Sequence, residues 1–116
     1  MIKLFGISNC DRVVKARKIL SSASVEFEYI DFRKGNFLTS HIEDWLSKVS
    51  INEIISQRSQ AWKKLSPQQQ EALLSSPDLQ FIVENPTLIK RPVLLTDDEI
   101  FFGFNQAKYD EVSSRV

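Results

Sequence analysis

The spacing of apolar residues changes several times along the chain, and each change marks an element. Residues 2–5, "IKLF", read as a short strand, and Gly6 to Asn9 as a turn. Cys10, Val13, Ala16 and Leu20 then recur at three- and four-residue steps with Val14 beside them, which predicts a helix whose apolar stripe faces a core while Arg12, Lys15 and Lys18 point elsewhere. Ser8 or Asn9 is the expected N-cap, because either side chain can accept from the free N–H groups of the first turn. Residues 25–31, "VEFEYID", alternate apolar and polar, the period of a second strand, and two strands joined by a helix make a right-handed βαβ unit.

The middle of the chain has helical patterning and little strand character. "SHIEDWLSKV" carries Ile42, Trp45, Leu46 and Val49 at helical spacing, with Ser40 and Glu43 as an expected capping box. "LSPQQQEALL" and "SSPDLQFIVENP" each put a serine before a proline, the order of N-cap and first helical residue, and Pro86 ends the last of these helices. "RPVLLTDDEIFFGF" reads as a hairpin turning at Asp97-Asp98, and "NQAKYDEV" as a closing helix capped by Asn105. The resulting order, βαβ, several helices, then ββα, is an α/β arrangement of thioredoxin-like type. A helical insertion at about 37–86 separates the two halves of a single domain spanning 1–116.

Composition narrows the function. Fifteen acidic residues balance fifteen basic ones, and no basic run exceeds the pair Lys63-Lys64, so no stripe for direct nucleic-acid binding is visible. The longest apolar runs, "PVLL" and "IFFGF", are too short to span a bilayer, and "MIKLFGI" lacks the architecture of a secretory signal. The expectation is a soluble, cytoplasmic domain. One cysteine excludes a disulfide framework and a multi-cysteine metal site within these residues.

That cysteine, Cys10, stands where a strand ends and a helix begins. A helix start offers unpaired N–H groups and a partial positive charge, both of which stabilise a thiolate. Arg12 and Lys15 push the same way and Asp11 pushes against. Two readings stay open at this point: a reactive thiol, or a small buried residue continuing the stripe of Val13 and Leu20. Val13 occupies the place where a C-x-x-C pair would put a second sulfur, so any disulfide formed by Cys10 joins it to another molecule.

The run "FGISNCD" before a basic helix resembles the arsenate reductase-related (ArsC/Spx-type) family, and its small single-cysteine YffB-like members most. "YIDFRKG", "ISQRSQAWKKL", "ENPTLIKRPVL" and "GFNQAKYDEV" follow in matching order, so the likeness spans the chain, with "ENPTLIKRPVL" its most specific piece. The resemblance implies a thioredoxin-like fold with a helical insertion and Cys10 as nucleophile. It makes Arg91 the anion anchor, Pro92 the cis-proline beside the thiol, and Arg58 a second anion-holding candidate, with Asn9 and Arg12 completing the co-substrate site. No bound cofactor is implied. Glutathione is the expected co-substrate, glutaredoxin a partner for releasing product, and a small electrophile or mixed disulfide the substrate.

Three functions are compatible with that family: a glutathione-dependent thiol reductase, a genuine arsenate reductase, and a Spx-like interaction protein binding a partner such as RNA polymerase. Departures from the pattern weigh against arsenate. Trp62 stands about where the reductases' middle arginine falls, "FFGF" offers no third arginine, and Asp11 puts a carboxylate beside the nucleophile. Structural readings accompany the site residues: Arg91 and Arg58 as surface ion-pair partners, His41 as a solvated side chain, Trp45 and Trp62 as packing residues.

Overall fold

The computed structural model describes residues 1–115. Its elements are β1 (Ile2–Gly6), α1 (Asp11–Ser22), β2 (Phe27–Asp31), α2 (Thr39–Leu46), α3 (Ile51–Ile54), α4 (Gln60–Lys63), α5 (Pro67–Ser75), α6 (Leu79–Glu84), a 3₁₀ turn at Pro86–Leu88, β3 (Val93–Leu95), β4 (Ile100–Phe102) and α7 (Gln106–Ser114). The chain divides into two compact units, Met1–Asn36 with Arg91–Val116, and Phe37–Lys90. The expected helical insertion lies within the second. No helix among the described residues is long and apolar enough to cross a membrane.

The first unit is built on a four-stranded sheet of order β2-β1-β3-β4. β1 runs parallel to β2, with Ile2 opposite Phe27 and Gly6 opposite Asp31, and antiparallel to β3, which forms a hairpin with β4. This β2-β1-β3-β4 order with helices α1 and α7 is the thioredoxin-like arrangement. Val13, Ala16 and Leu20 are the buried face of α1. Ala16 and Leu20 meet Leu4, Val25, Leu94, Tyr109 and Val112 in one core, where each large side chain contributes about 1.5–3 kcal/mol by leaving water. Phe5 points to the other side of the sheet and stacks on Phe32, ring centroids 6.4 Å apart. The hairpin turns at Asp97-Asp98 as its pattern predicts, with Thr96 Oγ1 accepting from the N–H of Glu99 at 3.1 Å. Asn105 caps α7 through the N–H of Lys108 at 3.0 Å.

Several predicted details fail for local reasons. Val14, taken with the core stripe, is 48 % exposed, because Val13 is the residue that α1 turns onto β1. The box expected of Ser40 and Glu43 gives way to a cap at Leu38, whose N–H donates to His41 Nδ1 at 3.0 Å. His41 also stacks on Phe37 at 5.6 Å, so this half-exposed ring caps and packs as well as meeting solvent. Ser66 caps α5 reciprocally with Gln69, as expected, but α6 is capped by Asp78, which accepts from the N–H of Phe81, while Ser76 ends α5 instead. The carboxylate of Asp78 is the stronger acceptor.

In the second unit Ile42, Trp45, Ile54, Ile82, Leu88 and Ile89 are buried, and Trp62 with them, so both tryptophans are packing residues. The N–H of Ser56 donates to the carbonyl of Leu88 at 2.7 Å and that of Lys90 to Ile54 at 2.9 Å, tying the stretch before Arg91 to the end of α3.

Gly6 sets how closely α1 begins to the sheet. A Cβ at this position would lie 2.6 Å from one Val13 methyl and 2.9 Å from the other. Gly6→Ala is expected to cost about 1–3 kcal/mol through overpacking, read from urea unfolding. Pairing it with Val13→Ala should recover part of the loss; additive losses would show that the contact is not the cause.

Candidate functional site

The turn after β1 carries the candidate nucleophile. The N–H of Cys10 donates to the carbonyl of Ile7 at 3.0 Å, and the carbonyl of Cys10 accepts from Val14 at 2.9 Å. Cys10, with extended backbone (φ −89°, ψ 125°), is therefore itself the N-cap of α1. This corrects the expected cap at Ser8 or Asn9: the Ser8 hydroxyl donates to Asp31 Oδ2 and is not available to the helix, and Asn9 is exposed. A cap position suits a sulfur that must be reached. Cys10 is half-buried, outside the stripe formed by Val13, Ala16 and Leu20.

Opposing effects act on its ionisation. Partial burial pushes the thiol up, but the N–H groups of Val13 and Arg12, then hydrogen bonding and charge from the Arg91 guanidinium, outweigh it and hold the thiol below its ordinary value. The N–H groups face the sulfur without closing a conventional capping hydrogen bond. Arg12 thus acts through its backbone, and its side chain is exposed. Arg91 precedes β3, and its peptide bond to Pro92 is cis. Cys10, Arg91, Pro92, Asn9 and Arg12 all belong to the first unit, whereas Arg58 is an exposed residue of the second, in the turn before α4.

Three residues absent from the sequence-based list support this turn. Register puts Asp31, the last residue of β2, opposite Gly6. The residue is 6 % exposed, and its carboxylate accepts from the N–H and hydroxyl of Ser8 and from the N–H of Arg33 at 2.9 Å. Burial pushes Asp31 up, but these hydrogen bonds and the nearby Lys34 bring it below the usual carboxylate range. The Tyr29 hydroxyl lies 3.3 Å from Ser8 Oγ. Burial, then the charges of Asp31 and Cys10, raise the Tyr29 phenol despite Ser8 and Arg17, so the sulfur is within electrostatic range of the ring. Strand parity was the available signal, since Asp31 falls on the inward face shared by Val25, Phe27 and Tyr29.

A thiol held below its ordinary pKa at a helix start beside an arginine is suited to attack sulfur or another soft electrophile. The pattern of the ArsC family matches residues 5–112. The chain belongs to the ArsC family. Similar curated proteins include an uncharacterised protein of Haemophilus influenzae, 34 % identical over 94 % of this chain and 96 % of that one. The global transcriptional regulator Spx of Streptococcus agalactiae serotype V is 36 % identical over 91 % of this chain and 78 % of its own. Among solved structures, the YFFB protein superposes with a TM-score of 0.84 at 24 % identity, covering 96 % of this chain and 97 % of the other, a likeness of fold. Within the ArsC family, then, this member carries one sulfur and places it at the cap of α1.

Two measurements test the site. Because the thiolate is the nucleophile and the thiol is held low, iodoacetamide should alkylate Cys10 at neutral pH faster than it does free cysteine, and Arg91→Gln should move the midpoint of the rate–pH curve upward. An unchanged midpoint would remove Arg91 from the site. Asp31, lowered on folding, contributes stability above its unfolded value near 4 that is lost as pH falls through the folded value. Asp31→Asn should therefore cost about 1–3 kcal/mol at pH 7 in urea unfolding, with the gap to the parent closing in acid.

Proposed function

We propose that the protein is a glutathione-dependent thiol reductase with Cys10 as its nucleophile. The observation that carries this reading is an N-cap thiol beside Arg91, held below its ordinary pKa, in a chain with no second cysteine, so the resolving thiol comes from another molecule. ArsC family membership supports reductase chemistry of this kind.

In the proposed cycle the Cys10 thiolate attacks one sulfur of a disulfide. A new S–S bond forms to Cys10, the old one breaks, and the other sulfur leaves as a thiolate. A glutathione thiolate then attacks the mixed disulfide and regenerates the Cys10 thiolate. When the mixed disulfide is with glutathione, taken from a glutathionylated substrate, one free glutathione is consumed, the substrate thiol is released and the two glutathionyl groups leave together as oxidised glutathione. A glutaredoxin can take over this resolving step. Arg91 anchors the anionic end of the incoming molecule through its planar fork, and Asn9, Arg12 and Pro92 border the co-substrate. The reaction suits the cytoplasm, where thiols are kept reduced.

Arsenate is disfavoured as the substrate. Trp62 is buried in the core of the second unit and offers no charge to an oxyanion, and β4 carries phenylalanines where a third arginine is required. The Spx relative favours a second reading, a partner-binding protein contacting RNA polymerase. Val13 is buried against Gly6 and removes any internal disulfide switch from that reading.

Incubation with oxidised glutathione near pH 7, followed by mass spectrometry, should show one glutathione adduct at Cys10, and none in Cys10→Ser. The same variant should lose glutathione-linked disulfide reductase turnover, while arsenate with glutathione and glutaredoxin should be turned over little. No adduct in the parent would overturn the reductase reading, and recovery of polymerase by Cys10→Ser as well as by the parent would then favour the second.

A further inference from the structure

One exposed face beside the thiol is unused by the cycle above. Cys10, Val14 and Arg17 are spaced four and three residues apart, so they follow one another along the same side of the start of α1. Val14 is one of the few large apolar side chains the protein exposes. The Arg17 guanidinium lies 4.1 Å from the centre of the Tyr29 ring. Tyr29 belongs to β2, an edge of the sheet, and its hydroxyl meets Ser8 two residues before the sulfur. Among the described residues Arg17 enters no salt bridge. Stacking on the ring fixes the plane of the guanidinium and leaves its N–H edges for a ligand.

We propose that Arg17 and Tyr29 form a carboxylate-binding subsite for the acidic thiol co-substrate, with Val14 covering the apolar middle of that molecule and its sulfur lying at Cys10. This rests on the glutathione reading and names where the specificity for glutathione resides. Arg17 stands seven positions after Cys10, about 10 Å of helical rise, and helical side chains lean toward the N-terminus, which brings the guanidinium back toward the sulfur. The sulfur of glutathione sits on its middle residue with a carboxylate at the end of each arm, and one arm together with the backward lean of the Arg17 side chain bridges the two points. A disulfide without carboxylates gains nothing from this subsite.

The test compares oxidised glutathione with cystamine, a disulfide bearing amines and no carboxylates. Mixed-disulfide formation on the full chain is followed by quenched mass spectrometry. Arg17→Ala and Arg17→Gln should each lower the ratio of the glutathione to the cystamine rate constant about three- to tenfold, with Arg17→Lys recovering part. The iodoacetamide rate–pH profile should stay where it is, which separates ligand holding from thiol activation. An unchanged ratio in both neutral variants would overturn the subsite alone. A parent protein that reacts with cystamine and not with oxidised glutathione would overturn the glutathione reading and the subsite together.

Discussion

The start of α1 must lie against the end of β1 for the sulfur to feel the helix, and everything chemical in the first unit follows from that close approach. At Gly6 there is no space for a side chain beside Val13. The approach lets a four-residue turn carry the chain from a buried strand to a half-exposed thiol, over the unpaired N–H groups of Arg12 and Val13. Burial alone would raise the pKa of that thiol. Backbone dipoles and one guanidinium outweigh it and lower the pKa, so the shift is a property of packing geometry more than of local sequence.

The turn is held from the other side by a group that is costly to bury. Asp31 loses most of its water on folding, and the loss is offset by donors from Ser8 and Arg33. A carboxylate that gave up these partners would have to be solvated or protonated. The network therefore resists displacement of Ser8, and through two peptide units it restrains Cys10. The parallel register of β1 and β2 makes this possible, since a slip of one residue would turn Asp31 to the opposite face of the sheet.

Much of this was legible in the chain and some was not, for identifiable reasons. Strand and helix periods located β1, α1, β2, the hairpin and α7, because each buries one face and so repeats with its own period. The cap of α1 was misassigned because Ser8 is a good cap in isolation and its hydroxyl's real partner, Asp31, is twenty-three residues away. The exposure of Val14 was hidden by its neighbour, since two adjacent valines fit the stripe equally and only contact with Gly6 selects Val13. Asp31 looked like the polar end of an alternating strand, and its inward parity gains meaning only once the register to β1 is known. Arg91 and Pro92 were found through likeness to a family. No period or spacing joins residue 91 to residue 10.

The solitary sulfur described above also has a kinetic meaning. A second thiol within the same chain would act at a high effective concentration and close a ring whatever the surroundings hold. Here no such ring can form, so every disulfide joins two molecules, and its abundance follows the ratio of disulfide to thiol in the surrounding pool. A rising ratio of disulfide to thiol populates the adduct, and a falling one returns the free thiol. The chain keeps no record of past disulfide exchange beyond the life of that one intermolecular bond.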